Sequence, residues 1–187
     1  MTPAPNRHAT PRQMAAVLLV LVVAAAAAVA TQDRQAAGWK PVEGRLLSRF
    51  ARDVSPASPL PDYPRPQLVR SAWLNLNGLW QYAIRPKDAE SPGAAFDGSI
   101  LVPFAPESSL SGVGRTVGPD NRLWYRRTFR VPAAWAGKRV WLRFDAVDWD
   151  ATVLVNGRKV GSHTGGYDPF TFDITRRAKT GSGMAMP

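Results

Sequence analysis

The sequence predicts an all-β protein, an antiparallel β-sandwich of the jelly-roll kind. Several segments place an apolar residue at every second position, which is the period of a half-buried strand. The pair Asn156-Gly157 separates two such segments and is a strong hairpin signal, because both residues tolerate a positive φ. No amphipathic helix of useful length follows residue 54. Many short strands with closely spaced turn signals are typical of sandwiches and jelly rolls.

Residues 1–30 are predicted to be a signal peptide. Arg7 and Arg12 give a basic start, residues 14–30 are uncharged and apolar, and residues 28–30 (AVA) form a small-x-small cleavage pattern. We therefore expect export to the periplasm or the extracellular space, with a signal-peptide helix ahead of the sandwich. The alternative is an uncleaved membrane anchor, although 17 residues of helix would span only about 26 Å.

Composition limits the classes of partner. Without cysteine, disulfides and thiolate metal sites are excluded. Cleavage after residue 30 removes two arginines and no acid, so the formal net charge falls from +10 to +8. The basic residues are dispersed, which favours a solvated surface over a nucleic-acid site. We expect no nucleic-acid partner, no metal, no cofactor, and membrane contact only if the N-terminal segment stays uncleaved. A basic β-domain that binds polyanions is a weaker alternative.

Residues 31–66 are predicted to be a polar, proline-rich arm. Five prolines between residues 55 and 67 fix φ and cannot donate to a ladder, which favours a linker or a wrapping arm. The sandwich is predicted for residues 67–175, and residues 176–187 are predicted to be an irregular tail with no strand.

Alternation places the strands of the sandwich. The pair Asn77-Gly78 is expected to form a tight turn before the first strand. Residues 106–120 lack periodicity and are expected to be a long surface loop. The predicted strand segments are residues 80–84, 99–102 and 123–131, followed by three to four antiparallel strands within residues 139–174.

These segments resemble the N-terminal sugar-binding domain of glycoside hydrolase family 2, which includes β-galactosidases, β-glucuronidases and β-mannosidases. The resemblance lies in FDAVDWDATVLVNGRKVGSHTGGYDPFTFDIT (residues 144–175), together with LNLNGLWQYAI, ILVPFAPESSLSGV and LWYRRTFRVP in the same order before it. It covers residues 64–175 and implies a galactose-binding-domain-like jelly roll that ends before a catalytic TIM barrel.

The resemblance also implies what this chain lacks. Family members carry two catalytic glutamates in the barrel, as retaining hydrolysis requires. Glu43, Glu90 and Glu107 match neither catalytic motif. We therefore expect no glycosidase activity from this chain alone. The sandwich is expected to be incomplete at its C-terminus, as in a truncated or frameshifted product or a fragment, with marginal stability from an unpaired edge.

Carbohydrate binding is assigned to Trp149 and Tyr167, together with Asp148 and Asp150. Sugar rings stack their C–H faces on aromatic side chains, while their hydroxyls bind polar groups. For each aromatic residue the alternative that we favour is packing within the protein. Three other tryptophans occupy strand positions and are expected to fill the core; they are Trp80, Trp124 and Trp141.

Two further groups have structural alternatives that we favour. Asp145, Asp148 and Asp150 form an acidic cluster that a calcium ion could use, but turn-capping and pairing with Arg143 or Arg158 is the preferred interpretation. His163, the only histidine after signal cleavage, is expected to hydrogen-bond within its turn rather than act in catalysis.

The sequence therefore predicts a non-catalytic sugar-binding or scaffold domain of an exported family 2 glycoside hydrolase, with a β-glycoside as its carbohydrate partner. The alternative is a stand-alone carbohydrate-binding module.

Overall fold

Short antiparallel strands joined by turns make up the described part of the protein. A computed structural model of the chain describes residues 38–178 and the backbone of 183–184. The predicted signal peptide and the start of the arm lie outside the described residues. The strands are β1 (Gly78–Pro86), β2 (Gly98–Val102), β3 (Asn121–Arg126), β4 (Phe129–Arg130), β5 (Trp141–Phe144), β6 (Asp150–Val155), β7 (Arg158–Thr164), β8 (Phe170–Asp173) and β9 (Gly183–Met184).

From residue 39 to residue 178 the helical elements are short 3₁₀ turns, at Arg49–Asp53, Pro66–Leu68, Ser109–Ser111 and Ala133–Trp135. The absence of an α-helix of useful length after residue 54 is therefore confirmed for the described part. Within residues 38–178 and 183–184, no helix has the length and apolar character that crossing a membrane requires.

The first sheet has the strand order β2-β1-β3 and is antiparallel throughout. Trp80 and Tyr82 lie on the buried face of β1, as the alternation predicts. Ile100 and Leu101 of β2 are both fully buried, which confirms the predicted buried strand. This sheet therefore forms one wall of the interior.

The predicted single strand over residues 123–131 is divided into β3 and β4, with Arg127 between them. Its guanidinium is partly buried and donates a hydrogen bond to the Leu79 carbonyl oxygen, and burial lowers the pKa of Arg127. The inward-turned cation interrupts the ladder, an effect that alternation alone does not reveal.

Gly78 corrects a second prediction, because Asn77-Gly78 does not form the expected tight turn. Gly78 is the first residue of β1, with φ 132°, and pairs with Val102. A Cβ at this position would lie 3.1 Å from the Arg127 guanidinium. Glycine is therefore needed for backbone conformation and for the close approach of Arg127.

The β6–β7 hairpin confirms the turn that the pair Asn156-Gly157 predicts. Asn156 and Gly157 connect the strands with φ values of 52° and 74°, as a type I′ turn requires. β5 pairs with β8, so four antiparallel strands lie within residues 139–174.

One hydrophobic cluster joins these sheets and shows that they share an interior. Its buried members come from β1, β2, β5, β6, β8 and the connections between strands: Trp80, Tyr82, Ile100, Val131, Val140, Leu142, Val153, Val155, Phe170 and Ile174. The fold is therefore an all-β domain of antiparallel sheets, consistent with a sandwich.

The tryptophans differ from the expectation at one position. Trp80 is buried and Trp124 is half-buried, but Trp141 is 52% exposed. Trp141 and Leu142 are successive residues of β5, so their side chains point to opposite faces of the sheet. Leu142 faces the core. The prediction that Trp141 fills the core was therefore wrong.

The predicted irregular tail contains a short strand. β9 pairs antiparallel with β4, so that Phe129 is opposite Met184 and Arg130 is opposite Gly183. A two-residue ladder depends on backbone groups and is too short to give an alternating pattern. The expectation that residues 176–187 contain no strand was therefore wrong.

Part of the arm is bound to the loop between β2 and β3. Val42 donates its N–H to the Ser109 carbonyl (2.9 Å), and the Ser109 hydroxyl donates to the Val42 carbonyl (2.7 Å). Arg45 donates to the carbonyls of Glu107 and Gly114. Ser109 and Ser111 are buried, whereas Arg115, Thr116, Pro119 and Asp120 are exposed, so the expected surface loop is on the surface in its second half only.

Tyr125 is expected to make the fold sensitive to alkaline pH. Burial, reinforced by the nearby charge of Glu107, raises the pKa of Tyr125 to about 12. The unfolded chain loses this proton near pH 10, while the folded chain keeps it. Ionisation of Tyr125 in the unfolded chain therefore lowers the free energy of unfolding by on the order of 2 kcal/mol as the pH rises from 10 to 12. Below pH 10 this loss is absent.

Urea unfolding between pH 8 and 12 measures this effect. Tyr125→Phe is the control, because it keeps the ring and removes the titrating proton. Its stability should fall less steeply over this range, and identical slopes for the two proteins would contradict the prediction.

Candidate functional site

Two loops meet at one end of the β6–β7 hairpin and bring the predicted site residues together. Trp149 immediately precedes β6, and the peptide bond between Asp148 and Trp149 is cis. Tyr167 lies in the connection from β7 to β8. The Gly165 N–H donates to the Trp149 carbonyl at 2.7 Å, and Asp150 pairs with Thr164 in the ladder.

The two aromatic residues of these loops are exposed. Trp149 is 66% exposed and Tyr167 is 95% exposed. The alternative that each of them packs into the domain is therefore wrong. Single exposed apolar residues are ordinary on protein surfaces, but two large aromatic rings on adjoining loops offer a ligand-contact surface.

The acidic residues of the cluster have different surroundings. Asp145 pairs with Arg143, with Nε and Oδ1 2.9 Å apart, which confirms the predicted ion pair. Asp148 Oδ1 lies 2.9 Å from where a Cβ of Gly166 would be, so its carboxylate rests against the second loop. Asp148 and Asp150 are both exposed. Among the described residues, no three acidic or imidazole groups are arranged to hold a metal ion.

His163 and Asp168 also belong to this region, although sequence reasoning did not select either for binding. The His163 ring stacks on Phe170 with centroids 4.3 Å apart. Its Nε2 is buried and has no hydrogen-bond partner among the described residues, so the expected bond within the turn is not seen at this atom. His163 Nε2 and Asp168 Oδ2 lie 3.6 and 4.0 Å from the Cβ position of Gly165.

The position of these residues in the chain explains why they were missed. His163 is on β7, and Asp168 follows Tyr167 directly, so both flank the two glycines that turn the chain. The ladder pair Ala151–His163 places the histidine beside the strand that begins after Trp149. A β-bulge between Val153 and Leu154 shifts the pairing by one residue, so the register that starts at Asn156-Gly157 would place Asp150, not Ala151, opposite His163.

The resulting surface suits a polyhydroxylated ligand. Two aromatic rings provide apolar faces, and carboxylates of Asp148, Asp150 and Asp168 provide acceptors for hydroxyl donors. The glutamates have other surroundings: Glu107 Oε1 accepts the Val117 N–H at 3.1 Å, and Glu43 and Glu90 are exposed in the arm and in the β1–β2 loop. The surface of the two aromatic loops therefore offers contacts for a polyhydroxylated ligand.

A family model and individual relatives indicate the same family for the matched residues. Residues 111–185 match the model described as glycosyl hydrolases family 2, sugar binding domain. A β-galactosidase of Thermoanaerobacter pseudethanolicus is 49% identical over 59 residues, which are 32% of this chain and 8% of that protein. A β-glucuronidase of Paenibacillus borealis is 31% identical over 124 residues, 64% of this chain and 21% of that protein.

A solved structure agrees with these relatives. The β-glucuronidase of Ruminococcus gnavus in complex with uronic isofagomine superposes with a TM-score of 0.50 at 30% identity. The superposition covers 60% of this chain and 20% of that one. The chain thus spans about a fifth or less of the length of these relatives. The matched range includes both loops of the site, so residues 111–185 of this chain are similar to the sugar binding domain of the glycosyl hydrolases family 2.

Proposed function

We propose that the chain is the non-catalytic sugar-binding and scaffold domain of an exported family 2 glycoside hydrolase, and that Trp149 and Tyr167 contact a β-linked glycoside. The observation that carries the proposal is that both aromatic rings are exposed on adjoining loops. The hydrogen bond from the Gly165 N–H to the Trp149 carbonyl joins these loops. Sugar C–H faces stack on such rings, and Asp148 and Asp150 accept hydrogen bonds from hydroxyls.

The proposed architecture is a jelly roll whose loops carry the ligand contacts. The single shared core and the uniformly antiparallel pairing support it. Binding loops on a rigid sheet need little reordering when a ligand arrives, which favours binding by this surface.

Hydrolysis is assigned to a part of the enzyme other than this domain. A retaining glycosidase needs two carboxyl groups about 5–5.5 Å apart, one as the nucleophile and one as the acid/base. The family relatives that the chain matches are β-galactosidases and β-glucuronidases of much greater length. In the full-length protein the proposed reaction is two-step retaining hydrolysis, with this domain supporting the catalytic barrel and its substrate.

Export is part of the proposal and rests on the sequence of residues 1–30. A basic start, an apolar stretch and a small-residue exit support signal-peptidase cleavage. N-terminal sequencing of the protein recovered outside the cytoplasm should begin at Thr31. Recovery only in membranes with an intact N-terminus would contradict cleavage.

A sugar titration tests the binding function. The full chain is titrated with p-nitrophenyl β-galactoside, β-glucuronide and β-mannoside while tryptophan fluorescence and p-nitrophenolate release are followed. We expect a saturable fluorescence change with at least one glycoside and no release. Turnover would contradict the non-catalytic assignment, and an unchanged signal with all three would contradict binding.

A further inference from the structure

A basic cleft lies at the other end of the β6–β7 hairpin from Trp149. The ladder runs from Asp150–Thr164 beside the aromatic loops to Val155–Arg158 at the turn, a separation of roughly 17 Å at about 3.4 Å per residue. The cleft has a volume of about 400 Å³, within the range of small-molecule sites. Its charged lining residues are Arg139, Lys159, Asp173, Arg176 and Arg177.

The one carboxylate of the cleft is already bound within the protein. Asp173 Oδ2 accepts hydrogen bonds from Arg139 at 2.9 and 3.2 Å, and its Oδ1 accepts from the Thr175 N–H and hydroxyl. The bonds from Thr175, aided by Arg139, lower the pKa of Asp173 to about 2. Asp173 thus orients Arg139 and is fully occupied as an acceptor.

The other three cations of the cleft have no such counter-charge. Lys159, Arg176 and Arg177 have no carboxylate within 4.0 Å among the described residues. Three like charges around one concavity repel each other and raise the local concentration of anions. The cleft is therefore electrostatically complementary to an anionic ligand.

The backbone that presents the arginines is fixed before any ligand arrives. The Thr175 hydroxyl accepts the Val140 N–H at 2.9 Å, and the Ile174 N–H donates to the Val140 carbonyl at 2.9 Å. The Arg177 N–H donates to the Ile174 carbonyl at 2.8 Å, and its own carbonyl accepts from Asn156 Nδ2 at 2.9 Å. This anchoring reduces the ordering cost of binding.

We propose that this cleft binds an acidic glycan, an oligosaccharide that carries carboxylate or sulfate groups. Guanidinium groups bind both anions through paired hydrogen bonds. The ring of Trp141 is 52% exposed and adjoins the cleft through Arg139, whose guanidinium lies 4.7 Å from the ring centre, so the part of the ring that Arg139 leaves uncovered is an apolar surface beside the cleft. The site is separate from the Trp149 and Tyr167 loops and does not depend on the function proposed for them.

Calorimetric titration of the full chain at a fixed 0.15 M NaCl tests the proposal. The probes are hexagalacturonate, which carries only carboxylates, a κ-carrageenan hexasaccharide, which carries only sulfates, and neutral maltohexaose. At least one acidic probe should bind roughly tenfold or more tightly than maltohexaose, because one charge-assisted contact is worth about that factor. The acidic probe that binds identifies the anion. Equal affinity for all three probes would overturn the proposal.

Variants test whether binding depends on the cleft or only on the net positive charge of the protein. Arg176→Gln with Arg177→Gln should weaken acidic-glycan binding at least tenfold, and Lys159→Gln, at an exposed position, should weaken it in a protein whose fold is unaffected. Arg49→Gln with Arg52→Gln removes the same charge from an exposed turn and should leave binding unchanged. Equal losses in the two double variants would overturn the proposal.

Two further binding experiments distinguish this site from other binding sites. Trp149→Ala with Tyr167→Ala should bind the acidic probe as the unaltered chain does, and a loss there would place the ligand at the aromatic loops instead. A single-stranded DNA hexamer should bind more weakly than the acidic glycan. Tighter DNA binding would replace the glycan with nucleic acid as the ligand.

Discussion

Replacing Gly161 with alanine is expected to destabilise the protein by about 3 kcal/mol or more. Gly161 lies in β7, and a Cβ at this position would overlap the ring of Phe172 in β8. No positive φ is involved, so the cost comes from overlap rather than backbone strain. This contact joins the β6–β7 pair to the β5–β8 pair, and a clash there separates two sheets.

The Phe172 ring has little freedom to move away. Phe172 is paired with Leu142 of β5, which is buried in the core, and it meets Phe170 edge-on with centroids 5.6 Å apart. Close-packed interiors respond to extra volume with off-rotamer side chains and backbone shifts. The added methyl group therefore strains several residues of the core.

Urea unfolding followed by circular dichroism measures this loss. Gly118→Ala is the matched control, since its Cβ would meet only the Asn121 side-chain amide at 3.5 Å, an ordinary contact. We expect Gly118→Ala to change stability by less than about 0.5 kcal/mol. Similar midpoints for the two variants would show that Phe172 does not restrict this position.

Replacing Trp149 and Tyr167 together with alanine is expected to remove most of the affinity for β-glycosides while the fold persists. Two aromatic stacking contacts together contribute about 2 kcal/mol or more, a loss of roughly thirtyfold in Kd. Because these side chains are 66% and 95% exposed, their removal takes little packing from the core. The predicted result is a binding defect at nearly unchanged stability.

The affinity is measured by calorimetric titration with the glycoside that binds the unaltered chain. Phe50→Ala is the control, because Phe50 is 61% exposed on the arm and lies outside the two loops. Phe50→Ala should bind as the unaltered chain does. Undiminished binding by the double variant would exclude the aromatic loops as the contact surface.

Local patterns in the sequence predicted the strands that depend on them. The alternation around Trp80 reflects which side chains β1 buries, and the Asn156-Gly157 signal reflects the positive φ of both residues. Both features are properties of a few adjacent residues. The exposed aromatic loops were also predictable, because Trp149 and Tyr167 flank the hairpin rather than occupy its buried positions.

Contacts between distant residues were not predictable in this way. The break at Arg127 depends on the Leu79 carbonyl and on Gly78, and β9 depends on an unpaired edge of β4. At the site, the roles of His163 and Asp168 depend on how two loops meet. Propensity and periodicity describe one segment at a time, so they do not contain these pairings.

The hydrogen bonds between Val42 and Ser109 join residues 67 positions apart. Closing such a long loop, together with pairing β5 with β8 across the intervening hairpin, is typical of β-rich single domains that fold in milliseconds to seconds. A slow-folding chain stays extended for longer after synthesis. An extended chain is the form that a translocation pore accepts, so late closure of the arm is compatible with the export that we propose.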